Sequence, residues 1–119
     1  MQPLAAAVLS IAGVDVNKSR VGYSSQGPGR LNAEKPDIAS YTHFAGSGVY
    51  PADGGTSAAC PVAAGVVAAI RSKYPTSKLS PLQLRSLLFK SAEDKSGTGF
   101  DYDYGWGIID PNALLPRLP

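Results

Sequence analysis

A glycine-rich turn followed by a small apolar run carries the residues of this chain that are best suited to chemistry. Gly54-Gly55-Thr56-Ser57 leads into an alanine-rich segment that continues to Gly65. The glycines would let a substrate approach the backbone closely, and a helix beginning here would point its free N–H groups at the same place. This layout suits a serine nucleophile in acyl transfer, with the N–H of Ser57 donating to the oxyanion.

The same turn has a simpler interpretation, in which Ser57 or Thr56 only caps the N-terminus of a buried helix. Spacing alone favours this structural role, because Ser and Thr are common helix caps. A nucleophilic serine also needs an adjacent base. His43 is the only histidine of the chain. Asp37 or Asp53 could orient its ring, but nothing in the sequence fixes that geometry, so a local triad is not favoured.

The composition describes one small globular domain with many tight turns. Of its 119 residues, 44% are hydrophobic and 17% are charged, and Gly and Pro number 13 and 10. The net charge of +2 is spread along the chain, so no nucleic acid or anionic membrane is expected as a partner. The single cysteine, Cys60, excludes an internal disulfide, and its apolar neighbours predict a small buried side chain.

The segments before the turn are predicted to be strands, and the turn itself opens a helix. Residues 5–16 are apolar with little alternation, as in a strand of a mostly parallel sheet, and residues 20–25 alternate as a second strand. Residues 35–40 look extended, and a short strand could lie at 48–50. Residues 57–73 predict a helix that is apolar on every side and therefore buried.

The apolar N-terminus lacks the basic region of a signal peptide, which favours a strand there and leaves the localisation unassigned. No apolar run reaches the length of a membrane span.

The C-terminal third predicts a second helix, a strand and a short last helix. Ser80-Pro81-Leu82-Gln83 contains an N-cap serine, a proline at the first helical position and a glutamine that completes a capping box. Leucines at 84, 87 and 88 then lie on one face of that helix. Residues 104–109 predict a glycine-interrupted strand, and Asp110-Pro111 opens a helix that continues to Leu115.

Four carboxylates near the C-terminus raise the question of a calcium site. They are Asp94, Asp101, Asp103 and Asp110. The spacing lacks the pattern of a calcium-binding loop, which favours solvated turns and an N-cap at Asp110. No metal or other cofactor is therefore expected from the residues themselves.

Five segments, in order, resemble the subtilisin-like serine proteases. They are residues 12–28 (two strands and a Tyr-Ser-Ser-Gln-Gly-Pro turn), 35–38 (Lys-Pro-Asp-Ile), 54–65 (the Gly-Thr-Ser segment), 80–88 (a leucine-rich helix) and 104–110 (Tyr-Gly-Trp-Gly-Ile-Ile-Asp). The resemblance implies an α/β fold, namely the C-terminal part of a subtilisin-like parallel-sheet sandwich with strands, a buried central helix after Ser57 and C-terminal helices. It also implies that Ser57 is the catalytic nucleophile, in an oxyanion turn formed by Gly55, Thr56 and Ser57.

Three catalytic groups of that family have no counterpart in these 119 residues. They are the Asp of an Asp-Ser/Thr-Gly turn, the His of a His-Gly-Thr segment and the oxyanion Asn. The resemblance therefore implies that residues 1–119 are a partial subtilase domain, lacking the upstream segments that bear the Asp and the His. Such a chain would belong to a serine endopeptidase that hydrolyses peptide bonds through an acyl-enzyme on Ser57, and would be inactive or poorly active alone.

The resemblance also implies partners. A peptide or protein is expected as the substrate of the intact enzyme. An upstream segment of the same protease domain, or a second copy of this chain, is expected to cover exposed core. Calcium occurs in some intact family domains, but this sequence gives it no support. The alternative function is a non-catalytic binding or structural module, or an oligomer, derived from the subtilase fold.

Overall fold

The computed structural model describes residues 8–95 and 97–119, which form an α/β arrangement. In chain order the elements are β1 (Ile11–Val14), β2 (Ile38–Tyr41), α1 (Thr56–Lys73), α2 (Pro81–Ser91), α3 (Pro111–Leu114) and a 3₁₀ turn at Leu115–Arg117.

The two strands pair in parallel, with Ile11 opposite Ile38. On the other side of β2, Ile108 forms a parallel bridge to Ala39. Ala39 and Ile108 are both fully buried, so β2 lies at the centre of this small sheet. Because parallel strands end at the same edge, the segments that follow β1 and β2 leave the sheet side by side.

Helix α1 packs one face on the sheet and leaves the opposite face open. Its buried residues are Ala59, Ala63 and Ile70, and the last two belong to the core cluster that contains Ile38 and Leu88. The exposed residues of the opposite face, called the open face below, are Cys60, Pro61, Ala64, Gly65 and Ala68. The prediction that this helix is buried on every side is therefore wrong for this chain, because nothing in the described residues covers the open face.

The prediction that Cys60 is buried is wrong for the same reason, since its side chain is exposed. Although α1 is apolar, no helix in the described part of the chain is both long and apolar enough to cross a membrane.

The starts of the two later helices are confirmed as predicted. The hydroxyl of Ser80 accepts from the N–H of Gln83 at 3.1 Å, and the Gln83 side chain accepts from the N–H of Ser80 at 2.8 Å. The carboxylate of Asp110 accepts from an N–H in the first turn of α3 at 3.2 Å. These caps satisfy N–H groups that a helix start otherwise leaves without partners.

Four predicted strands differ from the structure. The first is shorter than residues 5–16, and residues 5–7 lie outside the described part of the chain. Residues 20–25 form turns, with one bridge between Val14 and Arg20, and residues 48–50 form bends. Residues 104–109 form turns with isolated bridges rather than a continuous strand. Glycines at 105 and 107 adopt positive φ of 65° and 128°, which interrupts the extended backbone there.

Candidate functional site

The turn before α1 is held against the edge of the sheet where the strands end. Thr42, the residue after β2, donates its hydroxyl hydrogen to the carbonyl of Gly55 at 2.8 Å. A Cβ on Gly13 of β1 would lie 3.4 Å from the methyl group of Thr56, so strand and turn are in contact. The Gly-Thr-Ser turn thus lies at the carboxyl end of parallel strands, where α/β sheets usually place their ligand sites.

Gly55 sets the start of α1. Its φ of 82° and ψ of 162° lie in a region that glycine alone adopts readily. It is the N-cap residue, and its carbonyl accepts from the N–H of Ala58 at 3.0 Å. No side chain in the described ranges caps the start of α1. The interpretation of Ser57 or Thr56 as the helix cap is therefore wrong, because both residues lie inside α1.

Ser57 combines an exposed hydroxyl with an unpaired backbone donor. Among residues 8–95 and 97–119, its hydroxyl makes no hydrogen bond and its N–H finds no acceptor. No acidic side chain lies in the first turn of α1, whereas Arg71 and Lys73 lie in its last turn. The positive end of the helix dipole is therefore not neutralised at Ser57, and it favours negative charge there.

Pro61 weakens the regular helix just after Ser57. It lies within α1, one turn beyond Ser57. It has no N–H to donate to the Ser57 carbonyl, and its ring crowds that carbonyl. The orientation of Ser57 therefore depends more strongly on the contacts that hold Gly55, two residues before it.

A tyrosine and the histidine contact this turn in a way that the sequence did not predict. The Tyr23 hydroxyl accepts from the N–H of Gly55 at 2.7 Å and lies 3.0 Å from Nε2 of His43. The two rings meet edge to face, with centroids 5.8 Å apart. The only signal for Tyr23 was its place in the Tyr-Ser-Ser turn, because the segment around it was predicted as a strand.

The structure does not assemble a local triad on Ser57. Nε2 of His43 is directed at Tyr23. Asp37 is 1% exposed, and its carboxylate accepts from a lysine and an arginine, each at 2.5 Å. Asp53 is next to the turn, but no hydrogen bond joins it to His43 within the described residues. His43 and the two aspartates therefore do not form the relay that a serine nucleophile requires.

The carboxylates near the C-terminus support turns of the backbone. The carboxylate of Asp101 accepts from the N–H groups of Asp103 and Tyr104 at 2.8 and 2.7 Å. Asp103 lies 3.6 Å from the guanidinium of Arg20, and Asp110 caps α3. In the described ranges, no three carboxylate, histidine or cysteine side chains are grouped so that they could hold a metal ion.

Two cavities lie beside α1, at its opposite ends. The smaller, of about 240 Å³, borders Thr56 and the loop at residues 25–29. The larger, of about 570 Å³, is an apolar groove between the C-terminal half of α1 and the end of the chain. Of these two cavities, the smaller adjoins the Gly-Thr-Ser turn.

The sequence matches known serine proteases over most of its length. The model of the Subtilase family matches residues 3–107. The chain is 38% identical over 106 residues to Subtilisin DY of Bacillus licheniformis, an alignment covering 89% of this chain and 36% of that protein. It is 43% identical over 68 residues to fervidolysin of Fervidobacterium pennivorans, covering 57% of this chain and 9% of that protein.

Solved structures show the same likeness in three dimensions. The crystal structure of fervidolysin superposes with a TM-score of 0.73 at 27% identity, covering 95% of this chain and 20% of that chain. The CspB protease of Clostridium perfringens superposes with a TM-score of 0.75 over 92% of this chain and 26% of that chain. At 20% identity, this second match shows the fold alone.

The chain thus spans 36% of Subtilisin DY and smaller shares of fervidolysin. The predicted α/β fold and its relation to the C-terminal part of a subtilisin-like sandwich are confirmed by these structural neighbours. Since the family model covers most of the sequence and Subtilisin DY aligns along nearly all of it, the chain belongs to the subtilase family.

Proposed function

We propose that Ser57 is the nucleophile of a subtilisin-type serine endopeptidase, and that Gly55, Thr56 and Ser57 form its oxyanion turn. The observation that carries the proposal is that Ser57 is exposed at the N-terminus of α1, where its N–H has no acceptor among the residues that the structure describes. Membership of the subtilase family supports it. The substrate class is a peptide or protein, whose carbonyl group would approach the open edge of the turn.

The chemistry at Ser57 is an acyl transfer in two steps. The Ser57 oxygen bonds to the peptide carbonyl carbon while a base takes the hydroxyl proton. The base then gives that proton to the amine as the C–N bond breaks, which leaves an ester on Ser57. Water hydrolyses the ester by the same route. In both steps the N–H of Ser57 donates to the oxyanion.

The base and the second oxyanion donor come from outside these 119 residues in this proposal. The only histidine, His43, is paired with Tyr23 rather than with Ser57. The sequence contains neither an Asp-Ser/Thr-Gly nor a His-Gly-Thr segment. Removing triad partners typically lowers the rate by about 10⁴-fold or more. Residues 1–119 would then be a partial subtilase domain with little activity of its own.

The open face of α1 indicates where the complementary segment would bind. On a helix, residues three and four apart lie on one face, so Ser57 shares a face with Cys60, Pro61 and Ala64. These small and apolar side chains are exposed. The chain spans only 36% of Subtilisin DY, whose remaining length is ample for a covering segment. We propose that an upstream segment of the same domain covers this face and places its His beside Ser57.

A fluorophosphonate probe tests both parts of this proposal, because it reacts only with an activated serine. The purified chain is labelled alone and together with an added segment that carries the Asp and His motifs, taken from the parent gene. The variant Ser57→Ala removes the proposed nucleophile. Ser72→Ala is the matched control, since Ser72 is exposed on the same helix and its hydroxyl only donates to the backbone of α1.

The expected result is labelling only in the complemented sample, lost in Ser57→Ala and retained in Ser72→Ala. Labelling of the chain alone that disappears in Ser57→Ala would confirm the nucleophile and refute the need for an upstream segment. No labelling in any sample would refute the protease proposal and favour the non-catalytic module. If a second copy of this chain covers the open face of α1 instead, the chain should form a dimer that the added segment does not dissociate.

A further inference from the structure

Hydrogen bonds hold both backbone polar groups of Gly55, the first residue of the proposed oxyanion turn. Its carbonyl accepts from the Thr42 hydroxyl at 2.8 Å and from the N–H of Ala58 at 3.0 Å. Its N–H donates to the Tyr23 hydroxyl at 2.7 Å. The first two bonds come from the sheet edge and from the helix itself. Only the third comes from a separate loop, and neither the helix nor the sheet requires it.

The direction of the hydrogen bonds on Tyr23 follows from the donors present. A backbone N–H can only donate, so the Tyr23 oxygen accepts from Gly55. The proton of the hydroxyl is then free to point at Nε2 of His43, 3.0 Å away, which accepts when the ring proton is on Nδ1. Hydrogen bonds in a chain polarise one another, so donation to His43 makes the Tyr23 oxygen a better acceptor for Gly55.

The loop after β2 holds His43 in this place. Phe44 and Asp53 exchange two backbone hydrogen bonds, at 3.2 and 2.7 Å, which close the loop at its base and bring His43 next to Gly54. A Cβ on Gly54 would lie 3.6 Å from the His43 ring. His43 has a φ of 59°, a left-handed conformation that non-glycine residues rarely adopt. Such a backbone persists where surrounding contacts hold it.

We propose that Tyr23 is a positioning residue for the nucleophile turn, and that His43 orients its hydroxyl. Without the Tyr23 bond, the N–H of Gly55 loses its partner and the turn gains freedom about the φ of that glycine. Because Ser57 is only two residues later, its N–H would also be less well oriented. This N–H must point at the oxyanion. The catalytic consequence rests on the proposed function, whereas the Gly55–Tyr23–His43 hydrogen-bond chain does not.

Hydrogen exchange at the Gly55 amide, followed by NMR on the isolated chain, tests the hydrogen-bond chain directly. Tyr23→Phe removes the hydroxyl and keeps the ring. Tyr50→Phe is the matched control, because Tyr50 is an exposed tyrosine whose hydroxyl has no partner in the described residues. Loss of one net hydrogen bond should speed exchange at Gly55 by about 2- to 10-fold in Tyr23→Phe, with no change in the α1 interior. Unchanged exchange relative to Tyr50→Phe would overturn the proposal.

The role of His43 is tested by two substitutions of equal length. His43→Gln keeps an acceptor for the Tyr23 hydroxyl proton, whereas His43→Met removes it. Glutamine and methionine should be equally strained at the positive φ of position 43. Faster exchange at Gly55 in His43→Met than in His43→Gln is the expected result. Equal exchange in the two variants would overturn the orienting role of His43.

The rate of probe labelling in the complemented sample measures how well the nucleophile is positioned. Tyr23→Phe should lower the labelling rate at saturating probe by about 3- to 10-fold, with the half-saturating concentration unchanged. A general loss of structure would instead shift the thermal midpoint and the exchange of the whole helix. Faster Gly55 exchange with an unchanged labelling rate would overturn the positioning role. If even the unsubstituted chain is not labelled, the proposed function fails, and the exchange data alone decide the hydrogen-bond chain.

Discussion

Replacing Gly55 by alanine tests whether the nucleophile turn depends on a backbone conformation reserved for glycine. At φ 82° and ψ 162°, an alanine would carry about 1–3 kcal/mol of strain. Lack of space is not the cause, because the nearest atom to the new Cβ would be the Ser57 nitrogen at 3.6 Å, an ordinary contact. We therefore expect Gly55→Ala to lower the free energy of unfolding by about 1–3 kcal/mol.

Gly65→Ala is the matched control, since it makes the same chemical change within the same helix. Gly65 is exposed, and a Cβ there would meet nothing within 4 Å. Alanine is favoured over glycine in a helix interior by about 1 kcal/mol, so this variant should be stabilised by about 0.5–1 kcal/mol. The two variants should thus move the free energy of unfolding in opposite directions.

Urea unfolding followed by far-ultraviolet circular dichroism and by Trp106 fluorescence measures both changes. The free energies of unfolding of Gly55→Ala and Gly65→Ala should differ by about 1.5–4 kcal/mol. The free energy of unfolding should decrease with urea concentration at a similar slope in both variants. A Gly55→Ala chain as stable as the unsubstituted protein would show that the turn does not need its positive φ. In that case the geometry assigned to the start of α1 would be wrong.

Three further substitutions test the rest of the structure. Asp37→Ala should lower the free energy of unfolding by about 3–5 kcal/mol, because it leaves two cationic side chains without the carboxylate they share. Urea unfolding measures this change, and a loss below about 1 kcal/mol would show that the two ion pairs of Asp37 contribute little to stability. Ala64→Glu on the open face should change the stability of the isolated chain by less than about 0.5 kcal/mol, yet weaken binding of the complementary segment at least about 10-fold, because a charge would be buried without a partner. Titration of probe labelling against added segment measures this, and unchanged complementation would place the interface elsewhere. Finally, the hydrogen bond and charge of Glu93 raise the pKa of Lys18 above its ordinary value of 10.5. The resulting stabilisation is complete below that value and is lost as the pH rises through the higher folded-state pKa, so Lys18→Met should remove part of the decline in stability above about pH 10.5. An identical decline in both proteins would show that the pair does not contribute.

Local signals in the sequence predicted the starts of the two later helices and their caps correctly. The capping box at Ser80 and Gln83 and the N-cap at Asp110 depend on contacts between residues three apart. Such caps can therefore be predicted from residues that are close together in the sequence. The sequence also predicted the extended segment at residues 35–40, which contains most of β2, because Pro36 disfavours a helical conformation at the residue before it. The match of motifs in order predicted the family, which the family model and the relatives confirm.

Predictions that depended on distant partners were less successful. Residues 20–25 alternate like a strand, but in the described part of the chain only the isolated bridge between Val14 and Arg20 pairs them with β1, and the rest of the segment forms turns. Helix α1 has the composition of a fully buried helix, but burial requires a covering surface, and one face of α1 has none among the described residues. The exposure of Cys60 has the same cause.

The sequence by itself determined that a Gly-Thr-Ser turn opens a helix, because glycine conformation and helix propensity act between near neighbours. Only the tertiary structure decided that Gly55, rather than Ser57 or Thr56, is the cap and that the N–H of Ser57 has no acceptor among the described residues. It alone brought Tyr23 to this turn across 32 residues of sequence. No local pattern encodes that contact, because it forms only when the loop after β1 and the loop after β2 meet at the same edge of the sheet.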